Sequence, residues 1–304
     1  MRKLLVFILL FSLIASVADA QGQKRRKRSS FGRKKPPYRY ELVGTLGATN
    51  FLGDLGGADQ IGTNGLKDLE LALTRPALGA GIRFKIASHF SAKGNFFWGI
   101  IRGDDKLTKE PFRQARNLNF KSNIFELSGQ VEFKFTREQK GHVYQIKGVR
   151  GMKRKDRDLY LFGGGGMVHF NPKGKYNGTW YKLQPIGTEG QGILAGSKKY
   201  SRITGLISVG GGFRLALNKY WGIGFELGMR KTFSDYMDDV STTFPDMKIF
   251  NGDPVATYLS NPSGNDMAPG LDVRGDHTDK DAYMFGALTL GYKVMFKKRS
   301  RSKF

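Results

Sequence analysis

Residues 123–135 alternate without a break. Ile124, Glu126, Ser128, Gln130, Glu132 and Lys134 fall on one side of an extended chain, and Asn123, Phe125, Leu127, Gly129, Val131, Phe133 and Phe135 fall on the other. A period of two marks a β-strand whose faces meet different surroundings. One face here is rich in apolar and aromatic side chains; the other carries three charges. A soluble two-sheet protein would put those charges in water. A membrane barrel would turn the apolar face to lipid and the charges into its lumen.

The same alternation recurs along the chain. It predicts a first strand from Tyr38, with Glu41, Val43, Thr45, Gly47 and Thr49 opposite Tyr38, Tyr40 and Leu42. Further strands are expected at 77–88, 92–101, 158–170, 201–217, 220–233 and 281–296, which with 123–135 makes eight. In the last of them, Met284, Leu288, Leu290, Tyr292, Val294 and Phe296 share the apolar face, while Thr289 and Lys293 lie opposite. A strand ending in an aromatic such as Phe296 also resembles the terminal signal of bacterial outer-membrane barrels. The connections alternate in length. Those at 53–76, 102–117, 171–200 and 234–280 are long, and those at 88–91 and 218–219 are tight, with 137–157 intermediate. A short helix is expected near 66–73. Long loops at one end and short turns at the other suit a barrel whose ends face different compartments, extracellular and periplasmic.

Residues 1–20 read as a signal peptide: Arg2 and Lys3 precede an apolar run from Leu4 to Ile14, and Ala18-Asp19-Ala20 makes a cleavage site. Residues 21–37 read as a flexible basic periplasmic leader, residues 38–296 as the barrel, and 297–304 as a basic periplasmic tail. There is no cysteine, which excludes disulfide and thiol chemistry. The net charge of +24 is concentrated: Lys24, Arg25, Arg26, Lys27, Arg28, Arg33, Lys34 and Lys35 stand in the leader, and Lys297, Lys298, Arg299, Arg301 and Lys303 in the tail. In an exported chain these ends point to acidic protein surfaces or anionic headgroups rather than nucleic acid.

The charges expected inside the barrel are Glu41, Arg83, Lys85, Glu126, Glu132, Lys134, Arg214, Glu226, Arg230 and Lys293, all opposite apolar faces. An eight-stranded barrel has room only for side chains. Mixed signs there are expected to pair and plug the lumen, because an unpaired buried charge is costly.

Other candidate sites carry little chemistry. His89, His142, His169 and His277 lack the spacing of metal ligands. Asp235, Asp238 and Asp239 put three carboxylates in five residues, read as a solvent-facing loop, with Ca²⁺ as the alternative. Gly163 to Gly166 lie inside a strand and lack the Lys-Ser/Thr of a phosphate loop; they are expected to make room for lumen side chains or to bend the sheet. No cofactor is implied.

Three stretches carry a family resemblance: GTLGATNFLGDL at Gly44 to Leu55, RNLNFKSNIFELSG at Arg116 to Gly129, and GMRKTFSDYMDDVSTT at Gly228 to Thr243. In this order they resemble the family of Bacteroidota outer-membrane β-barrels that includes PorG of the type IX secretion system. The resemblance implies a role in protein secretion and, in gliding relatives, motility. It implies anchoring of a periplasmic ring built from a PorK-like lipoprotein and a PorN-like subunit, with no catalytic residues. The basic leader, the tail and residues 137–157 are where ring contacts would fall. The expected fold is therefore all-β: an eight-stranded antiparallel transmembrane outer-membrane β-barrel, OmpA-like, with long extracellular loops, in the bacterial cell outer membrane. A small channel or porin, and an adhesin or ligand-binding barrel using its surface loops, are the alternatives.

Overall fold

The computed structural model describes residues 38–55, 73–108, 110–135, 157–265 and 267–295. The signal peptide, the leader, most of the helix expected near 66–73, nearly all of the 137–157 connection, Phe296 and the basic tail lie outside the described residues.

Eight strands close into a barrel: β1 (Tyr38–Leu52), β2 (Arg75–Lys85), β3 (Phe90–Asp104), β4 (Asn119–Lys134), β5 (Arg157–Tyr176), β7 (Ile203–Ala216), β8 (Trp221–Thr232) and β9 (Ala282–Met295). A short strand, β6 (Thr179–Lys182), adds to β5. The hydrogen-bonded order is β4-β3-β2-β1-β9-β8-β7-β5-β6, and the pairing of β4 with β5 closes the ring. Every ladder is antiparallel. The seam is long, from Tyr38 opposite Met295 to Leu52 opposite Ala282. Closure leaves the barrel strands no free edge, as a strand in hydrocarbon requires.

The barrel is inside-out relative to a soluble protein. On β4, Leu127 is 62% exposed while its neighbour Glu126 is wholly buried. Leu288 and Leu290 on β9 face outward, and Thr289 and Lys293 face inward. A surface of exposed leucine, phenylalanine and valine around a charged interior is stable only with lipid outside. At the end with the short turns, outward aromatics cluster: Trp221 packs on Tyr292 at 4.9 Å between centroids, and Phe90 on Phe133 at 5.3 Å. These form the girdle expected at a membrane interface. The molecule is thus a transmembrane β-barrel of the outer-membrane type.

Several expectations need correction. Tyr38 shares the parity of the outward residues but is 3% exposed, because a register shift between Tyr38 and Tyr40 turns it inward. Met284 also has outward parity, yet it is buried with Leu52, Ala282 and Met229 in a small cluster near the loop end. The fifth strand does not stop near 170. β5 runs for 20 residues and folds back into β6 through Asn177 and Gly178, both with positive φ. An Asn-Gly pair matches the turn of a two-residue hairpin. The connection read as 171–200 therefore begins as a protruding hairpin, which ends at Lys182.

The glycines opposite Tyr160 and Phe162 answer a packing need. A Cβ at Gly212 would land on the Tyr160 ring, and one at Gly210 would fall 2.5 Å from Phe162. Within the 163–166 run, Cβ atoms at Gly164 and Gly166 would strike the β4 backbone. Gly212→Val is expected to destabilise the barrel by about 1–3 kcal/mol through overpacking. Its urea midpoint in detergent should fall, whereas Gly94→Val, where nothing lies within 4 Å of the added carbon, should leave it nearly unchanged.

Candidate functional site

Among the described residues the lumen holds five buried carboxylates, Glu41, Glu126, Glu132, Asp158 and Glu226, against six buried cations, Arg83, Lys93, Lys134, Arg214, Arg230 and Lys293. Near-balance of charge is what allows such an interior to be dry. Arg83 is the hub. Its Nε donates to Glu132 at 3.0 Å, Nη1 to Glu41 at 3.2 Å and Nη2 to Glu226 at 3.3 Å. Glu226 also accepts from Lys93 at 2.8 Å and from the Tyr160 hydroxyl at 2.6 Å. Arg214 joins Glu41 at 2.6 Å and pairs with Asp158. A second group lies nearer the loops: Glu126 accepts from Arg230 at 3.0 Å, Tyr283 at 2.7 Å and Ser128 at 2.6 Å. The Arg230 guanidinium lies 3.7 Å from the centre of the Phe285 ring. Between the two groups, a void beside Lys93 and Gln130 measures about 10 Å³, room for one water.

Most of the charges expected inside therefore meet there. Lys134 is buried but forms no salt bridge among the described residues. Lys85 is only half-buried at the short-turn rim, where it and Lys293 lie 5.4 and 4.7 Å from the Tyr38 ring centre. Lys93, Asp158, Tyr160 and Tyr283 complete the network beyond the expected charges. Lys93 had a readable signal, since it is opposite in parity to Phe96 and Trp98. Tyr283 had a readable signal too, since it shares the parity of Thr289 and Lys293, whereas Tyr160 sits in a glycine-rich strand with apolar residues on both faces.

The described parts of the long loops fold into a cap over the other end. Its pieces are a 3₁₀ turn at Asp105–Leu107, α1 (Pro111–Arg116), α2 (Leu183–Ile186), a 3₁₀ turn at Met247–Phe250 and α3 (Pro254–Ser260). Glu110 caps α1 and Asp253 caps α3, each followed by proline at the first turn. Met237, Val240 and Leu259 join Phe51, Phe120 and Phe170 in one buried cluster, which fuses cap to barrel. Tyr200 stacks between Phe170 and Tyr236.

Three arginines hold this seam. Asp105 accepts from Arg116 Nε at 2.8 Å and from Arg113 at 3.3 Å, and Arg116 also donates to the Asp54 carbonyl at 2.8 Å and to the Arg274 carbonyl. Arg274, 1% exposed, donates to Glu189 at 2.9 Å, to the Asp239 carbonyl at 2.6 Å and to the Ser260 carbonyl at 3.3 Å. Leu55 N–H donates to Asp238 at 3.2 Å. The three stretches that carry the family resemblance therefore converge: Asp54 and Leu55 from the first, Arg116 from the second and Asp238 from the third. Glu126 with Arg230 joins the second and third again in the lumen.

The acidic run is not solvent-facing, as its loop position implied. Asp235, Asp238 and Asp239 are 3%, 0% and 0% exposed. Asp235 accepts from the Ser241 hydroxyl, Asp238 from Val240 N–H, and Asp239 from the Tyr200 and Thr188 hydroxyls. Among the described residues, no group of three or more His, Asp or Glu side chains is arranged to hold a metal ion. Burial pushes the carboxyls of Asp235 and Asp239 up to about 7 and that of Asp54 up to about 6. Asp238 and Asp281 lie well above the usual range, from burial first and then from repulsion by neighbouring carboxylates such as Asp54 and Asp235. A carboxyl with a raised folded pKa is protonated in the folded cap where the unfolded chain has already ionised. Its stabilising effect is fully present below about pH 4 and is lost as pH rises toward about 7. Proteolysis within 183–200 and 234–281 is expected to be faster at pH 8 than at pH 5, with barrel strands intact. Asp239→Asn should flatten that difference.

No family model matches the chain. No curated protein matches it either. Among solved structures it is similar to the attachment invasion locus protein Ail of Yersinia pestis, at 8% identity, covering 84% of this chain and 99% of that one with a TM-score of 0.36. It is similar to OprG of Pseudomonas aeruginosa at 12% identity, covering 86% and 98%, with a TM-score of 0.36. It is similar to Neisserial surface protein A at 5% identity, covering 84% and 96%, with a TM-score of 0.35. The barrel assignment rests on the strand pairing and on the direction each face points.

Proposed function

We propose that this chain is a non-conducting, non-enzymatic barrel of the bacterial outer membrane that serves as an anchor for a protein assembly rather than as a pore. The observation that carries this reading is the lumen: side chains from opposite walls pair across it through Arg83, Glu41, Glu132 and Glu226, and the cap covers one mouth. A pore needs a continuous water path, and the void beside Lys93 and Gln130 has room for a single water. The resemblance carried by the three converging stretches favours one assembly, the type IX secretion machinery. The partner would be a periplasmic ring of PorK-like lipoprotein and PorN-like subunits. The basic segments at 24–35 and 297–303 are the contacts to test, against an acidic face of the ring. Gentle purification from the native membrane is expected to bring down ring subunits, and deletion of residues 24–35 is expected to release them. Recovery of a lone barrel under mild conditions would reject the anchor.

A second reading is recognition of an external ligand by the cap. The exposed apolar side chains Ile193, Leu194, Leu271 and Val273 favour it. Cleavage of 183–200 and 234–280 on intact cells separates the two: it abolishes ligand recognition but leaves ring recovery unchanged.

A further inference from the structure

The outer surface of the barrel carries a row of cations that neither the lumen nor the cap uses. Arg102 on β3 stands opposite Lys121 on β4, Lys121 opposite Lys173 on β5, and Lys173 opposite Lys182 on β6. Four basic side chains thus lie abreast on four neighbouring strands. On β4 and β5 the residues beside them in sequence, Ser122 and Pro172, are buried, so Lys121 and Lys173 face outward. Like charges directly opposite on a sheet repel. Arg102 is offset by Asp104 at 3.1 Å, whereas Lys121, Lys173 and Lys182 make no salt bridge among the described residues.

The row has walls. Trp180 on β6 separates two recesses. One, of about 100 Å³, is lined by Lys121, Asn123, Lys173 and Trp180. The other, of about 300 Å³, includes Arg102, Lys106, Lys175, Trp180 and Tyr258.

Height along the barrel narrows the occupant. The outward apolar run of β4 extends from Phe125 to Phe135, about 33 Å of strand, or about 25 Å across a membrane at a tilt of roughly 40°. Lys121 lies four residues beyond Phe125 at the capped end, about 10 Å above the hydrocarbon edge. That is headgroup depth, and lysine stems reach back toward it. The row spans three strand spacings, about 14 Å. That length suits two phosphates held apart by a disaccharide better than one phosphodiester. A tryptophan and a tyrosine beside the cations offer flat faces for sugar rings.

We propose that Arg102, Lys121, Lys173 and Lys182, with Trp180, form a binding site for a diphosphorylated disaccharide lipid of the outer leaflet, of the lipid A type. Charge-assisted hydrogen bonds to phosphate relieve the repulsion within the row, and the acyl chains run down the apolar belt below it. The site rests on outer-membrane placement with the cap outside. Density-gradient fractionation of the native membranes tests that placement separately.

The test uses the full chain in phosphatidylcholine nanodiscs containing diphosphoryl lipid A, with lipid retained on the purified protein measured by mass spectrometry. Wild type is expected to retain the lipid. The K121Q/K173Q/K182Q variant is expected to lose roughly a hundredfold in affinity, about fivefold for each lysine. Trp180→Ala and removal of one lipid phosphate should each weaken retention. Lys219→Gln, at the short-turn end, should not. The gel shift of folded barrel on heating reports integrity, and Lys173→Gln alone decides the matter if the triple variant does not fold. Equal retention by the variants would overturn the site. So would equal retention of phosphatidylglycerol, or equal binding of inorganic pyrophosphate, which would mark a general anion surface.

Discussion

Arg83→Ala is expected to cost the barrel at least about 3–5 kcal/mol, the usual penalty for removing one partner of a buried ion pair. The physical reason is the number of groups left behind. Glu41, Glu132 and Glu226 are each at most 1% exposed, and all three lie within 3.3 Å of the same guanidinium. Alanine leaves three carboxylates facing one another with fewer counter-charges. Lysine should rescue little, because a single ammonium cannot donate in three fixed directions. Adding Glu226→Gln to Arg83→Ala should recover part of the loss, since one repelling charge is gone, though Lys93 then loses its own partner. The unfolding midpoint in urea, followed by the heat-dependent gel shift, measures all three. A midpoint within error of wild type for Arg83→Ala would mean the lumen is hydrated, and the non-conducting reading would fall with it.

Arg274→Ala should produce an effect of similar size, about 3–5 kcal/mol, in a different place. Arg274 ties together Glu189, the Asp239 carbonyl and the Ser260 carbonyl, and its own carbonyl accepts from Arg116. These groups come from four separated parts of the cap. Glu189 would remain buried without its counter-charge, with neutral donors alone, Gln191, Ser241 and Thr242, bonding to it. The cap is expected to open while the barrel keeps its wild-type gel shift. Protease should then reach the segments 183–200 and 234–281 at pH 5 as readily as it reaches wild type at pH 8. Undiminished protection would show that the apolar cluster around Met237 and Leu259 holds the cap without the arginine.

What could be read in advance followed the period of two. Parity alone separates Glu126, Glu132, Arg214 and Glu226 from Phe125, Leu127, Phe213 and Phe225, and the barrel keeps that separation. It failed wherever the chain leaves strict alternation. The register shift at Tyr38 reverses one side chain, and the Asn177-Gly178 turn extends β5 into a hairpin that looked like loop. The cap was least legible. Asp235, Asp238 and Asp239 read as solvated because no local pattern announces burial. Their surroundings come from Leu55, Thr188, Tyr200 and Arg274, far off in sequence and brought together only by the closed barrel. The three stretches that carry the family resemblance meet at this seam, which no single one of them reveals.

The pairing of Arg214 with Glu41 joins residues 173 positions apart, and β1 meets its second neighbour only when β9 arrives. The interior therefore cannot be dried one hairpin at a time. Until the last strand docks, each lumen carboxylate must stay hydrated or partly paired, so desolvation and ring closure become one late event. Contacts this distant in sequence make for slow folding. Folding kinetics should then be governed by that closing step, with lumen substitutions changing the rate of insertion and substitutions in single turns changing it little.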